Sequence, residues 1–292
     1  MRSIGNVGRD EMLTQWQVQY IEDKIVAAMG ELTIGREIFA PRSIPPGKKV
    51  YTYYDEVDMS PGVITMGGNV QAGDVVLFDD NDVRVPAISK DFFIQWRDNL
   101  ASLENAPNLM DRYALNAAKQ VIEEEDKLLI SGEYVGWGAY NIEGLMTKTG
   151  RGSVAGGAWP TNSYVSINLA RAALEAAGFH KPPILIGRPT QINYLDTLIA
   201  NTDKTHKQSL LDNNIISDVK KTTSLYTAAG LTTSCMLVVP DPEYLYYVEG
   251  LSPTVTQWPD KDGNIHGKVR EIIAPVIAHA GALCEVTGIT SG

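Results

Sequence analysis

Four consecutive acidic residues, 123–126, are the first candidates for chemistry in this sequence. Clustered carboxylates can bind a hard cation or act as general acids and bases. They lie among apolar residues spaced by three and four, which is the periodicity of an amphipathic helix. Glu125 falls on the apolar stripe of that helix, four residues after Val121 and four before Leu129. Its three acidic neighbours are predicted to project elsewhere, mostly to solvent.

A glutamate on an apolar helix face has to be paired, hydrogen-bonded or protonated. As a functional group, Glu125 would be a general base with a raised pKa. As a structural group, it would form an ion pair with an arginine, either within the chain or in a neighbouring subunit. We favour the ion pair, because no second catalytic group has a position near Glu125 in the sequence. The partner arginine cannot be identified from the sequence.

Other motifs for catalysis or cofactor binding are incomplete in this sequence. Gly136 and Gly138 lack the third glycine of a dinucleotide loop, and a predicted helix precedes them instead of a strand. The glycine-rich segment 149–157 lacks Gly-Lys-Ser/Thr, and the acidic segment 55–58 lacks the spacing of a calcium loop. The four histidines have no partner at metal-ligand spacing. We therefore predict no enzyme activity, no catalytic residues, no metal site and no cofactor.

Composition is that of an ordinary globular chain. The 292 residues are 44% apolar and 21% charged, enough for one large domain or two closely joined ones. Acids outnumber bases by 35 to 25, which argues against a protein that grips phosphate backbones. Neither a signal-peptide core nor a membrane span is found. Cys235 and Cys284 lie in apolar runs, so we expect buried, reduced thiols, a soluble chain and no membrane partner.

Two strand-like segments, 50–57 and 74–86, flank a glycine-rich stretch and predict a long β-arm. The arm carries seven acids between Val50 and Asp82 and no lysine or arginine. A two-stranded ribbon is marginal in water by itself, so its apolar residues need a surface from the same or a neighbouring subunit. The predicted subunit-interface residues are Tyr51, Tyr53, Val75, Leu77 and the helical Glu125.

The remaining segments alternate between helical and strand patterns, which predicts an α+β or α/β fold. A long helix is expected at 108–131, with Asn108 as its N-cap and Gly132 as its stop. Further helices are predicted at 10–32, 91–102, 163–178 and 188–200, strands at 183–187, 235–239, 244–248, 254–258 and twice more after 267, and a loop at 147–161.

The order of these segments resembles that of encapsulin and tailed-phage major capsid proteins. The resemblance covers residues 15–146 and rests on QWQVQYIEDKI, GREIFAP, VRVPAISKDFFIQWRDNLAS, EEEDKLLISGE and YNIEGLM, in that order. It implies the α+β fold of tailed-phage major capsid proteins (Hong Kong 97 type). The implied divisions are an N-terminal helix and arm at 1–49, an E-loop at 50–85, a peripheral domain at 86–184 with a spine helix at 108–131, an axial domain at 185–260, and return strands at 261–292; Trp16, Tyr20 and Ile21 would make the contacts of the N-terminal helix.

The resemblance also implies a shell subunit that assembles into an icosahedral capsid with many copies of itself. We favour a viral major capsid protein, in a virion assembled in the host cytoplasm, because the C-terminal run from Ile272 resembles viral members. It would enclose a genome without sequence-specific contacts, and portal or decoration proteins are further candidate partners. The first alternative is a cytoplasmic encapsulin compartment with cargo enzymes, which the N-terminal helix favours. The second is an α/β enzyme of unrecognised type.

Some members of this family join the E-loop to a neighbour by a Lys–Asn isopeptide bond. Here no lysine lies between Lys49 and Lys90, so a cross-link from the middle of the arm is not available. We therefore expect non-covalent assembly.

Overall fold

The computed structural model describes residues 33–56, 78–98, 109–132, 142–200, 202–227, 230–231 and 233–291. The predicted helix at 10–32, with Trp16, Tyr20 and Ile21, lies outside these residues, as do Val75 and Leu77. The helices are α1 Gly35–Ile38, α2 Leu109–Ser131, α3 Ser163–Ala176, α4 Pro189–Leu195 and α5 His206–Asp212. The strands are β1 Ala40–Ser43, β2 Val50–Glu56, β3 Phe78–Arg84, β4 Ala87–Ile94, β5 Gly152–Ala155, β6 Ala158–Trp159, β7 Ile184–Gly187, β8 Asp218–Lys221, β9 Tyr226–Thr227, β10 Gly230–Leu231, β11 Cys235–Val238, β12 Leu245–Pro259, β13 Ile265–Ile277, β14 Leu283–Thr287 and β15 Thr290–Ser291.

The long helix α2 lies where the three-and-four spacing predicts it, and its apolar stripe is buried. Val121, Ile122 and Leu129 are each at most 1% exposed. Burying one such side chain stabilises the fold by about 1.5–3 kcal/mol. The helix ends at Ser131, and the next residue is Gly132, whose φ of 66° lies in the left-handed region that favours glycine. The predicted stop at Gly132 is therefore confirmed.

One face of α2 packs against a four-stranded sheet with the order β1-β12-β13-β4. The two long strands β12 and β13 are antiparallel, with register shifts near Gly250 and between Leu251 and Thr254. The strands predicted separately at 244–248 and 254–258 are therefore parts of one bent strand. Strand β1 joins β12 in parallel, and β4 joins β13 antiparallel.

The predicted helix at 91–102 is wrong over its first residues, because β4 continues to Ile94. Phe92 is 9% exposed, whereas Phe93 and Trp96 are 44% and 48% exposed. Ile88, Phe92 and Ile94 share the buried face, at the even spacing of a strand. The aromatic positions 92, 93 and 96 fit a helical face as well as a strand. The conformation is decided by the pairing of the whole of β4 with β13.

A second core lies around a five-stranded sheet with the order β5-β14-β11-β7-β8. Its central strand β11 is fully buried, and α3 packs on β14 and β5. Strand β5 falls in the segment predicted as a loop, 147–161, so that prediction is wrong there. Cys235 and Cys284 lie inside this core as free, buried thiols, as predicted. Burial raises the pKa of Cys235, and it raises that of Cys284 to about 11.

The sheets do not follow the predicted division at 185–260 and 261–292. Strand β12 belongs to the four-stranded sheet beside α2, although all of it lies in the segment assigned to the axial domain. Strand β14 lies between β5 and β11 in the other sheet, although it belongs to the predicted return strands. The boundaries of the peripheral and axial domains, and the limits set at 1–49, 50–85 and 86–184, stay predictions.

Candidate functional site

The four-residue helix α1 is hydrogen-bonded to a buried carboxylate of the long helix α2. Asp126 accepts hydrogen bonds at Oδ1 from the backbone N–H groups of Ile34 at 3.0 Å and Gly35 at 2.9 Å. Thr222 donates its hydroxyl to the other carboxylate oxygen at 3.3 Å. These contacts satisfy N–H groups that the start of a helix otherwise leaves without partners. The result is that Arg36, on α1, is held beside α2.

Arg36 lies among three carboxylates from three different elements. Its Nε donates to Glu125 Oε1 of α2 at 2.5 Å, and its Nη2 donates to Glu271 Oε1 of β13 at 2.5 Å. The same Nη2 lies 3.3 Å from Glu249 Oε1 of β12. The Arg36 guanidinium also lies over the ring of Tyr247, 5.1 Å from its centroid. One cation therefore joins α1, α2, β12 and β13.

Charge is unbalanced among Arg36, Glu125, Glu249 and Glu271, which together form the Arg36 cluster. Glu125 and Glu271 are 0% exposed, whereas Glu249 is 22% exposed and partly solvated. Burial raises the pKa of Glu125 to about 7 and that of Glu271 to about 9, while Arg36 pulls both values down. Burial also raises the pKa of Asp126, against the hydrogen bonds that lower it. Two fully buried carboxylates thus share one guanidinium.

The predicted ion pair of Glu125 has its partner within the same chain. The predicted orientation of its neighbours is only partly right: Glu123 is exposed and Glu124 half-buried, but Asp126 is 5% exposed. Asp126 is buried because it accepts the N–H groups of α1, a contact 91 residues away in sequence that helical periodicity cannot indicate. The role of Glu125 in a subunit contact stays a prediction.

Sequence reasoning missed Arg36 and Glu271. For Glu271 a signal existed, because Ile265, Val269 and Ile273 alternate along β13 and place Glu271 on the same buried face. A charged residue at a buried position of a strand requires a partner. For Arg36 the local sequence offers no comparable signal, since α1 is too short to show a period.

Glu125→Ala is expected to lower the free energy of unfolding by about 1–3 kcal/mol, the cost of leaving a buried charged partner less well paired. The loss is moderate because Arg36 keeps Glu271 and Glu249. Urea denaturation of the variant and of Glu123→Ala, an exposed glutamate on the same helix, measures it. Equal stability of the two variants would show that the ion pair contributes nothing to folding.

The base of the predicted β-arm is an antiparallel ribbon of β2 and β3, paired from Val50↔Arg84 to Glu56↔Phe78. Tyr53 is 7% exposed and donates to the Ile277 carbonyl at 3.5 Å. Tyr51 is half-buried against the ring of Tyr246. The same subunit therefore covers these two residues, and their role in subunit contacts stays a prediction. Tyr54, which was not singled out from the sequence, is 65% exposed.

Exposed aromatic residues form a patch across three strands at the end of the four-stranded sheet. Phe93 of β4, His266 of β13 and Trp258 of β12 are cross-strand neighbours. The His266 ring stacks on Trp258 at 6.0 Å between centroids and lies 4.9 Å from Phe93. The backbone N–H of Trp96 donates to Asn264 Oδ1, one residue before the start of β13, at 3.0 Å. Trp258 is 45% exposed, like the 44% and 48% of Phe93 and Trp96. Exposed apolar residues that lie together mark protein contacts more often than scattered ones, so this aromatic patch is a candidate contact surface.

Helix α3 also exposes apolar side chains. Val165 and Leu169, four residues apart and so on one face, are 58% and 54% exposed. The opposite face, with Ile167 and Leu174, is buried in the second core. The exposed pair is therefore a second candidate contact surface.

A groove of about 780 Å³ lies at the base of the β-arm. Its lining includes the apolar residues Ile88 and Ile142. The charged residues of the lining are the exposed Lys48, Lys49 and Arg84 and one half-buried acid, Glu124. The predicted arm between residues 50 and 82 has the opposite charge. The basic residues of the groove and the acidic residues of the arm thus carry opposite charges.

The described part of the chain has neither a metal-binding cluster nor a membrane-spanning helix. Within the described ranges, no group of three or more His, Cys, Asp or Glu side chains is arranged to hold a metal ion. In the same part of the chain, no helix is both long and apolar enough to cross a membrane.

The fold resembles those of solved shell proteins. The virus-like particle protein of Pyrococcus furiosus matches with a TM-score of 0.70 over 94% of this chain and 100% of that chain, at 13% identity. The capsid protein of Myoviridae phage XM1 matches with a TM-score of 0.70 over 88% of this chain and 92% of that chain, at 17% identity. The chain thus has the Hong Kong 97 type of fold that these two proteins share, as predicted.

Sequence comparison identifies the family. The model of the Linocin_M18 family, described as an encapsulating protein for peroxidase, matches residues 60–245, more than half of the chain. The type 1 encapsulin shell protein EncA of Myxococcus xanthus is 27% identical over 186 residues, which are 62% of this chain and 63% of that relative. The chain belongs to the Linocin_M18 family of encapsulins, and the predicted relationship is confirmed.

Proposed function

We propose that the chain is the shell subunit of a closed icosahedral compartment of the encapsulin type, built from many copies of itself in the cytoplasm. The match to the Linocin_M18 family over residues 60–245 carries this proposal. The likeness to the Pyrococcus furiosus particle protein over all of that chain supports the same architecture. A cargo protein such as a peroxidase, the kind of cargo in the family description, would be enclosed inside.

The exposed surfaces of the protomer support assembly. A closed shell repeats contacts between different surfaces of one subunit, so each protomer needs several separate contact sites. The aromatic patch, the exposed pair on α3 and the groove at the arm base meet this need. We propose that the acidic arm of one copy binds the basic groove of the next, with Tyr51, Tyr53, Val75 and Leu77 near the contact. Electrostatic complementarity of this kind fixes orientation more than it adds affinity.

A viral capsid, which the sequence alone favours, is the second candidate function. The phage XM1 capsid protein matches the fold as well as the Pyrococcus furiosus protein does. At 17% identity, that likeness concerns the fold alone. The family and the curated relative both favour the encapsulin compartment. The enclosed genome and the virion location therefore belong to this second proposal, and the absence of enzyme activity stays a prediction.

Electron microscopy of the recombinant full chain tests the proposed function. Uniform hollow particles are the expected result. Particles from the native source are then treated with nuclease, and their absorbance at 260 and 280 nm distinguishes enclosed protein from protected nucleic acid. Protected nucleic acid would favour the virus. Monomers or small oligomers at every salt concentration and pH would contradict the shell.

Shortening the arm is expected to abolish particles while leaving a folded subunit. Replacing residues 57–77 with Asn-Gly joins Glu56 to Phe78, which are direct partners in the ribbon, by a dipeptide suited to a tight hairpin. The apolar base of the ribbon is retained, so the melting temperature of the subunit should change little. Light scattering and electron microscopy measure assembly, and circular dichroism reports folding. Closed particles from the shortened chain would refute the assembly role of the arm.

A further inference from the structure

Two carboxylate oxygens in the Arg36 cluster lack partners, although the cluster is buried. Glu125 Oε2 and Glu271 Oε2 are inaccessible to solvent and have no hydrogen-bond partner among the described residues. Each side chain uses its Oε1 on Arg36. A buried charged oxygen without a partner is costly, whereas a protonated carboxyl group is much less so. The geometry therefore indicates that the cluster holds a proton.

Charge counting leads to the same result. The charged and titratable groups at or beside the Arg36 guanidinium are Arg36 itself and Glu37 on α1, Glu125 and Asp126 on α2, Tyr247 and Glu249 on β12, and Glu271 on β13. Glu37 pairs with Lys220 and Asp126 accepts from α1, so both have partners elsewhere. Glu249 is partly solvated. Glu125 and Glu271 are left as two buried carboxylates for one guanidinium, an arrangement in which one carboxylate keeps a proton.

We propose that Arg36, Glu125 and Glu271 form a proton-linked latch that holds α1 on the long helix and the sheet, and loosens as the pH rises. One proton shared by the two glutamates balances the single charge of Arg36. Loss of that proton leaves two buried negative charges on one guanidinium, and their repulsion acts on the hydrogen bonds that Arg36 makes with α2 and β13. Segment 33–38 is then less firmly attached.

The direction of the pH effect follows from the raised pKa values. An isolated glutamate has a pKa of 4.5, whereas Glu125 and Glu271 titrate together, at about 7 and about 9. The folded chain thus binds protons that the unfolded chain has already released, and this stabilisation is lost as the pH rises through the folded values. Each proton that only the folded chain binds lowers the folding equilibrium constant by about tenfold per pH unit as the pH rises. The loss is therefore about a hundredfold from pH 7 to 9.

Infrared spectroscopy of the full chain detects the proton directly. At pH 7 the wild-type protein should show the C=O band of a buried protonated carboxyl group, which Glu271→Gln removes. Glu123→Gln, an exposed glutamate on the same long helix, should leave the band unchanged. Absence of the band from the wild type at pH 7 would overturn the latch, including the case in which a bound cation balances the charge. A band that persists in both Glu271→Gln and Glu125→Gln would also overturn it.

Stability and exchange measurements test the release of α1. From pH 7 to 9, the wild-type folding equilibrium should fall about a hundredfold, and that of Glu271→Gln should fall much less. Hydrogen exchange of residues 33–38 at pH 9 should be slower in Glu271→Gln than in Glu123→Gln, a comparison at one pH in which intrinsic rates cancel. A folding equilibrium that depends on pH equally in the wild type and in Glu271→Gln would refute the latch. These readouts concern the protomer, so failure of the latch leaves the proposed shell function standing.

Discussion

Arg36→Ala is expected to lower the free energy of unfolding by about 3–5 kcal/mol, the usual cost of breaking a buried charge pair by removing one partner. The loss exceeds that of Glu125→Ala because both fully buried glutamates lose their hydrogen-bond donor, and the pair loses the cation that balances its charge. The bonds to Glu249 and Tyr247 and the stacking on the Tyr247 ring are lost as well. Urea denaturation at pH 7 measures the change.

Two comparisons isolate the charge effect of Arg36. Arg112→Ala removes an exposed arginine from the long helix and should change stability by no more than about 0.5 kcal/mol. At pH 5 the deficit of Arg36→Ala should shrink, because the two glutamates with raised pKa values become protonated and no longer need a cation. A deficit that is the same at pH 5 and pH 7 would mean that Arg36 acts through packing alone.

Local periodicity made part of this cluster predictable. The long helix, its stop at Gly132 and the inward position of Glu125 follow from the spacing of apolar residues along one segment. The partner of Glu125 lies 89 residues away, on a helix of four residues that has no detectable period. The packing of α1 on α2 decides that pairing, and it also buries Asp126. Such contacts are properties of the folded chain and not of any segment.

Strand pairing accounts for the other differences. The segment 91–94 has an aromatic spacing that fits a helix, but β13 offers it a full row of backbone partners. Strand β14 follows β13 closely in sequence, yet it inserts between β5 and β11 in the other sheet. Neither choice can be predicted from one segment, because each depends on an edge formed by residues far along the chain. The order of segments was informative where single motifs were not, and it indicated the family.

The exposed surfaces could not be predicted from residue type. Phe93, Trp96 and Trp258 look like core residues in the sequence, since large aromatic side chains are usually buried. They form one patch only because β4, β12 and β13 place their ends side by side. A protomer that leaves such a patch uncovered fits a subunit that is completed by its neighbours. The patch thus adds to the shell proposal a surface that the sequence does not reveal.

Gly144→Ala is expected to destabilise the fold by at least about 3 kcal/mol, at the upper end of overpacking effects. A Cβ atom at residue 144 would lie 2.7 Å from the carbonyl carbon of Ser131 and 2.9 Å from Gly132 Cα, and it would also meet the backbone nitrogen of Gly132. These are backbone atoms at the end of the long helix, so a change of side-chain rotamer cannot relieve the clash. Thermal and urea denaturation of the full chain measure the loss.

Gly144 lies close to Gly132 because the residues that follow Gly144 form hydrogen bonds with the end of the long helix. These bonds explain why the expected loss of stability is large. Met146 donates its N–H to the carbonyl of Ile130 at 2.9 Å, and Thr147 donates its hydroxyl to that of Ser131 at 3.0 Å, so this segment satisfies carbonyls at the end of α2. Separating the backbones to admit a methyl group breaks those bonds as well. Gly47→Ala is the control, since nothing lies within 4 Å of its Cβ position, and its effect should stay within about 0.5 kcal/mol. Equal stability of the two alanine variants would show that the end of the long helix can separate from residues 144–147 at little cost.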